Sequence, residues 1–75
     1  MLVFNYNYTI CTRPLAIRVC KVESVHNDGA TWEIHETYTH FVLGSFKSEA
    51  KAIAEMEDFY NATANGMPVF HFTKE

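Results

Sequence analysis

Apolar residues fall at every second position from the start of the chain: Leu2, Phe4, Tyr6, Tyr8 and Ile10, with Val3, Asn5, Asn7, Thr9 and Cys11 between them. A period of two sends alternate side chains to opposite faces of an extended backbone, so residues 2–10 predict a half-buried strand. Arg13-Pro14 interrupts the pattern, because proline has no amide hydrogen to give to a ladder. Alternation resumes at Leu15, Ile17 and Val19 and predicts a second strand reaching about His26. Asn27-Asp28-Gly29-Ala30 follows, and Asp-Gly between two β-rich runs suits a two-residue turn in which both central residues have positive φ.

A loop at Asp28-Gly29 sets a register in which Val25 faces Trp32, Lys21 faces Glu36, Val19 faces Tyr38 and Leu15 faces Val42. Apolar meets apolar and the one charge pair has opposite signs, as cross-strand neighbours prefer. A turn around Arg13-Pro14 sets Ile10 against Ile17 and Tyr8 against Val19. The expectation is a three-stranded antiparallel meander with one apolar face, on which Leu2, Phe4, Tyr6 and Tyr8 lie beside Ile17, Val19, Trp32 and Ile34.

Such a face needs a cover. Ser48 is a candidate N-cap, Glu49 follows where the helix dipole favours an anion, and Ala50, Ile53, Met56, Phe59 and Tyr60 recur at helical spacing as a buried stripe. Lys51 and Glu55 sit one turn apart on the solvated side. Asn65-Gly66 reads as the helix exit, and Pro68 prevents resumption. From Val69 to Thr73 alternation returns with Phe70 and Phe72 on one face, predicting a short fourth strand beside either the first or the third. The fold class is two-layer α+β with the order β-β-β-α-β.

Composition narrows what this domain can do. Its 75 residues allow one domain over 1–75, and 48% hydrophobic with 20% charged residues is a globular balance. Six Lys and Arg against nine Asp and Glu give a net charge of −3, which removes the general electrostatic pull toward nucleic acid or anionic membrane. No apolar run approaches the roughly 18 residues of a membrane span. Residues 1–6 lack the basic region of a signal peptide, so the chain reads as cytoplasmic.

His26, His35, His40 and His71 do not share ligand spacing: His35 and His40 point to opposite faces of a strand, and His40 falls opposite Ile17 on the core face. Cys20 lies diagonal to His35 with Glu33 nearby, an arrangement better explained by ordinary sheet-face side chains than by zinc. In the predicted register Cys20 faces Asn7 and Cys11 faces Ala16, too far apart for a disulfide, and two free thiols suit a reducing compartment. Glu55, Glu57 and Asp58 fit a solvated helix face. Gly29, Gly44 and Gly66 are isolated, so no phosphate loop exists. Neither a cofactor, a metal nor an enzymatic site is expected.

The segment Gly44-Ser45-Phe46-Lys47-Ser48-Glu49-Ala50 resembles the strand-turn-helix step of integrase-arm and AP2-like domains, which present the sheet face opposite the helix to DNA. That resemblance implies a cationic open face. The predicted face, however, carries Asn5, Asn7, Arg18, Glu33, His35 and Thr37 with a single cation, and points to a protein or nucleoprotein partner ahead of nucleic acid. In size, acidity and lack of motifs the chain is similar to accessory proteins of phages and mobile elements, including anti-CRISPR and other anti-defence inhibitors. The resemblance implies a non-enzymatic inhibitor whose Glu49, Glu55, Glu57 and Asp58 occupy a basic surface of a host target. An uncovered strand edge or the open face also offers a route to a homodimer. Two alternatives stay open: a nucleic-acid module using Asn5, Asn7, Arg18, Lys21 and Lys47, and a homodimeric thiol or metal protein.

Overall fold

Short alternating runs become short strands here, because polar side chains close turns inside the longer runs. A computed structural model describes residues 1–9, 11–14, 16–22 and 32–75. Its elements are β1 (Leu2–Phe4), β2 (Cys11–Thr12), β3 (Ile17–Lys21), β4 (Trp32–Glu36), β5 (Val42–Phe46), α1 (Glu49–Ala64) and β6 (Val69–His71). They form two three-stranded sheets, ordered β2-β1-β6 and β3-β4-β5. The α+β class, the meander under one helix and the strand after the helix agree with the sequence pattern, while the membership of the sheets differs from it.

The first strand is shorter than its alternation predicts and pairs elsewhere. β1 ends at Phe4 and pairs antiparallel with β2, Val3 opposite Thr12 and Phe4 opposite Cys11, in place of the expected second strand. Asn5 is responsible for the break: its amide nitrogen donates to Asn7 Oδ1 and to Thr9 Oγ1, each at 2.9 Å, while Tyr8 N bonds back to Asn5 O at 3.2 Å. Side chains that satisfy one another locally compete with the ladder. Tyr8 takes a φ of 60°, so it turns where a Tyr8–Val19 pair was expected. Ile10 lies outside the described residues.

The central register also shifts. Ile17 pairs with Glu36, Val19 with Ile34 and Lys21 with Trp32, where Lys21–Glu36, Val19–Tyr38 and Val25–Trp32 were expected. Cys20 accordingly faces Glu33, and Cys11 faces Phe4; both cysteines are free. The displacement is an even number of residues, which is why Ile17, Val19 and Ile34 keep their shared face. Residues 15 and 23–31, with the Asp28-Gly29 turn and His26, lie outside the described residues.

Glu36 explains where the third strand stops. Glu36 is 3% exposed, and its carboxylate accepts from Tyr38 N and Thr39 N at 2.9 Å, from Thr39 Oγ1 at 3.3 Å and from Ala16 N at 3.3 Å. Residues 37–41 therefore fold back, His40 adopts a φ of 62° and is exposed, and the expected single strand becomes the β4–β5 hairpin. Trp32 pairs with Phe46 and Ile34 with Gly44, and a bulge at Ile34/His35 brings Val42 opposite His35 in place of Leu15.

β6 resolves the open choice of neighbour: it runs parallel to β1, Leu2 beside Val69 and Phe4 beside His71. The segments after β1 and after β6 stitch the sheets together. Tyr6 N donates to Leu43 O at 2.9 Å, Glu75 N donates to Ser45 O at 2.8 Å, and Lys74 bridges Ser45 in parallel.

Ser48 caps α1 as expected, its hydroxyl accepting from Lys51 N at 3.2 Å, and Gly66 leaves the helix at a φ of 68°. The buried stripe is rotated from the predicted one. Ala52 and Phe59 are buried and Met56 packs on the core, whereas Ala50, Ile53 and Tyr60 are exposed. The reason lies in β6: Phe59 seats against Phe70 and Phe72, with ring centroids 5.5 Å away in each case, and this aromatic cluster sets the helix's rotation. Val3, Ile17, Ile34, Leu43 and Phe46 complete the core.

Candidate functional site

The turning-over of the first strand decides which face is open. Because Phe70 points to Phe59, its register partner Val3 points inward as well and is fully buried. Leu2, Phe4, Val69 and His71 must then face away from the helix, joined by Cys11 from β2. This reverses the expected assignment, in which Val3 and Asn5 lined the open face. Asn5 is 3% exposed and holds the turn, so it is corrected from a contact residue to a structural one.

The open face has no Asp, Glu, Lys or Arg at its strand positions Leu2, Phe4, Cys11, Val69 and His71. Tyr8 stacks on His71 with ring centroids 4.0 Å apart and planes 14° apart, and it also meets Phe4 at 5.5 Å. Tyr8 is nevertheless 64% exposed, Val69 46% and Met67, two residues earlier, 51%. His71 Nε2 is buried at this stack and has no hydrogen-bond partner. Such an atom is uncommon in a folded chain, and leaving it unmet costs about 1–3 kcal/mol. The left-handed backbone at Tyr8 is what swings its ring across the sheet.

The other expected contacts separate into different places. Arg18 and His35 are cross-strand neighbours on the β3-β4-β5 sheet, where His35 Nε2 and Glu33 Oε1 lie 2.9 Å apart. Thr37 enters the β4–β5 turn and donates its amide to Ala16 O. Asn7 is exposed beside Tyr8 and accepts from Thr9. On the helix, Glu49, Glu57 and Asp58 are exposed, while Glu55 is half-buried and accepts from Thr73 N at 3.0 Å. Glu55 therefore fastens the C-terminal segment and does not belong to a free acidic surface. Among the described residues no group of three or more His, Cys, Asp or Glu is placed to hold a metal ion, and no helix is long and apolar enough to cross a membrane.

A second feature escaped the sequence pattern. An apolar cleft of about 370 Å³ opens between β3 and α1, lined by Ile17, Arg18, Val19, Ile53, Met56, Glu57 and Tyr60. Ile53 and Tyr60 were assigned to the core stripe, and the signal that places them outside it is the pull of Phe70 and Phe72 on Phe59.

Comparison with protein-family models, curated proteins and solved structures finds no match to this chain.

Proposed function

We propose that this chain is a small non-enzymatic interaction protein that docks a protein partner on the open face of the β2-β1-β6 sheet. The observation that carries the reading is the continuity of exposed apolar surface there. Leu2 lies beside Val69, Phe4 beside His71, and Tyr8 covers His71, so these side chains form one patch. Isolated surface hydrophobics need no explanation, whereas contiguous patches mark interaction sites. Tyr and Phe bring large rigid contact area at small entropic cost.

The net charge of −3 and the exposed Glu49, Glu57 and Asp58 favour a basic protein or nucleoprotein surface over free nucleic acid. An acidic binding module of this size would act by occupying its target's surface, in the manner of the phage and mobile-element inhibitors it resembles. The test is affinity capture from host extract with the wild type and with Tyr8→Ala/Val69→Glu, two changes at exposed positions. A partner recovered by the wild type and lost from the variant supports the reading; equal recovery sinks it. Salt-sensitive DNA or RNA binding in a mobility-shift titration would favour a nucleic-acid module instead.

A further inference from the structure

We infer that the cleft between β3 and α1 is a small-molecule site for a free apolar amino acid, whose side chain fills the cleft while its carboxylate meets Arg18 and its ammonium meets Glu57. The site lies between strand and helix, whereas the open face of the β2-β1-β6 sheet is turned away from the helix, so it stands whether or not a protein docks there. Ile17 and Val19 alternate on β3 with Arg18 between them, and Ile53, Met56 and Tyr60 recur on α1 at three- and four-residue spacing. Two regular elements thus each present a row of side chains to one space. Its volume of about 370 Å³ is at the lower end of the roughly 300–1,000 Å³ of small-ligand pockets.

The walls are held apart without an occupant. Phe59 seats on Phe70 and Phe72 and fixes the rotation of α1, which turns Ile53 and Tyr60 out of the core, 42% and 50% exposed. β3 is fixed by its five-residue ladder with β4, and Ile17 at the cleft is buried. A preformed apolar space spares a ligand the cost of ordering it. Met56, half-buried at the cleft, has an unbranched side chain that adapts to the shape of what enters.

Charge selects the occupant. Arg18 and Glu57 both line the cleft and both are exposed, which puts their charged ends at its mouth, one on the strand side and one on the helix side. Among the described residues neither side chain makes a hydrogen bond or an ion pair, and they do not pair with each other. Opposite charges that flank one apolar space and stay apart complement a ligand carrying one charge of each sign. A fatty or aromatic acid would satisfy Arg18 and set its carboxylate against Glu57, and an amine would reverse the conflict. An apolar amino acid carries both groups on the carbon that bears its side chain. The guanidinium fork then donates to the carboxylate, the ammonium donates to Glu57, and the side chain covers Ile53 and Tyr60. A peptide segment, whose ammonium and carboxylate are far apart or absent, does not supply this combination.

The probes are L-phenylalanine and L-leucine, titrated into the isotope-labelled chain and followed by its amide resonances. Beside them run two compounds that keep the phenyl ring and lose one charge: phenethylamine, without the carboxylate, and hydrocinnamate, without the ammonium. The amino acids should give saturable shifts centred on Val19, Ile53 and Tyr60. Each singly charged analogue should bind about ten-fold weaker than L-phenylalanine or more, as the loss of a charge-assisted hydrogen bond requires. Arg18→Gln and Glu57→Gln change exposed side chains and should leave the far-UV circular dichroism unaltered. Arg18→Gln should bring L-phenylalanine down to the level of phenethylamine, and Glu57→Gln down to that of hydrocinnamate. No saturable shift at the cleft with either amino acid at millimolar concentration overturns the inference. So does an analogue that binds as tightly as L-phenylalanine, or a Gln variant that keeps the wild-type affinity.

Discussion

Gly44 lies beneath the backbone of Thr73: a β-carbon built on Gly44 would stand 2.9 Å from the Thr73 carbonyl oxygen and 3.0 Å from the Phe46 ring. The C-terminal segment crosses β5 at this point, just before Lys74 and Glu75 engage Ser45. The glycine is required for close approach, since the oxygen that a methyl group would meet belongs to the backbone and cannot rotate aside.

Gly44→Ala should therefore loosen the junction between the two sheets. The expected result is a loss of about 1–3 kcal/mol in urea unfolding, in the range typical of overpacking. Amide exchange should quicken first at Glu75, whose N–H bonds Ser45 O. Unchanged stability would show that the segment can lift without cost.

Glu36 makes stability depend on acidity. The Thr39 N–H first holds its carboxyl below the usual carboxylate range, against the upward push of burial, and the Tyr38 and Ala16 amides and the Thr39 hydroxyl add to that hold. A folded pKa below the unfolded one means that the stabilisation is complete above the unfolded value and is lost as pH falls through the folded one. The thermal midpoint should drop on acidification below about pH 4.3, the ordinary glutamate value. Glu36→Gln should be less stable at neutral pH, because one carboxylate oxygen becomes an amino group facing an N–H donor, and its acid slope should be flatter. Some slope should remain from Glu75, whose carboxyl Lys51 and then the Lys47 N–H hold low. A Gln variant with the wild-type slope would refute this assignment.

Phe72 is fully buried between Phe59 and Phe70, with centroids 5.5 Å and 4.9 Å away. Truncating a buried aromatic typically costs about 3–5 kcal/mol, a large share of the roughly 5–15 kcal/mol that holds a domain. Phe72→Ala should bring unfolding close to ambient conditions, and Phe72→Leu should retain part of the loss. Calorimetry on the pair checks both.

Ser48→Ala removes the acceptor for Lys51 N at 3.2 Å and should cost about 1 kcal/mol. Ser48→Asp should restore it, which distinguishes a capping role from a packing one. Chemical denaturation of the three proteins reads the difference.

The helix and the last strand were the most legible parts of this chain. Ser48, Gly66 and the Phe70–Phe72 alternation act within a few residues of themselves, and each appears where its local chemistry requires. Glu36 was less legible because its four donors come from Ala16 and from the turn after it. Read along the chain, Glu36 is an ordinary strand residue opposite Lys21. Folded, it ends one strand and starts the next.

The open face could not be read from the first strand at all. Leu2 and Phe4 against Val3 and Asn5 are two alternating sets, and each is apolar enough at one end to pass for the buried one. Periodicity settles that the sets lie on opposite faces; it is silent on which faces inward, since that depends on the strand's neighbours. By itself the sequence determined an α+β chain, a capped helix and a pair of phenylalanines on one face of the last segment, all consequences of local backbone preference and spacing. Only the tertiary structure decided that β6 lies against β1 and draws Val3 inside. Burying the Phe59–Phe70–Phe72 cluster is worth more than burying Leu2, and with that cluster inside, Leu2, Tyr8 and Val69 are left exposed.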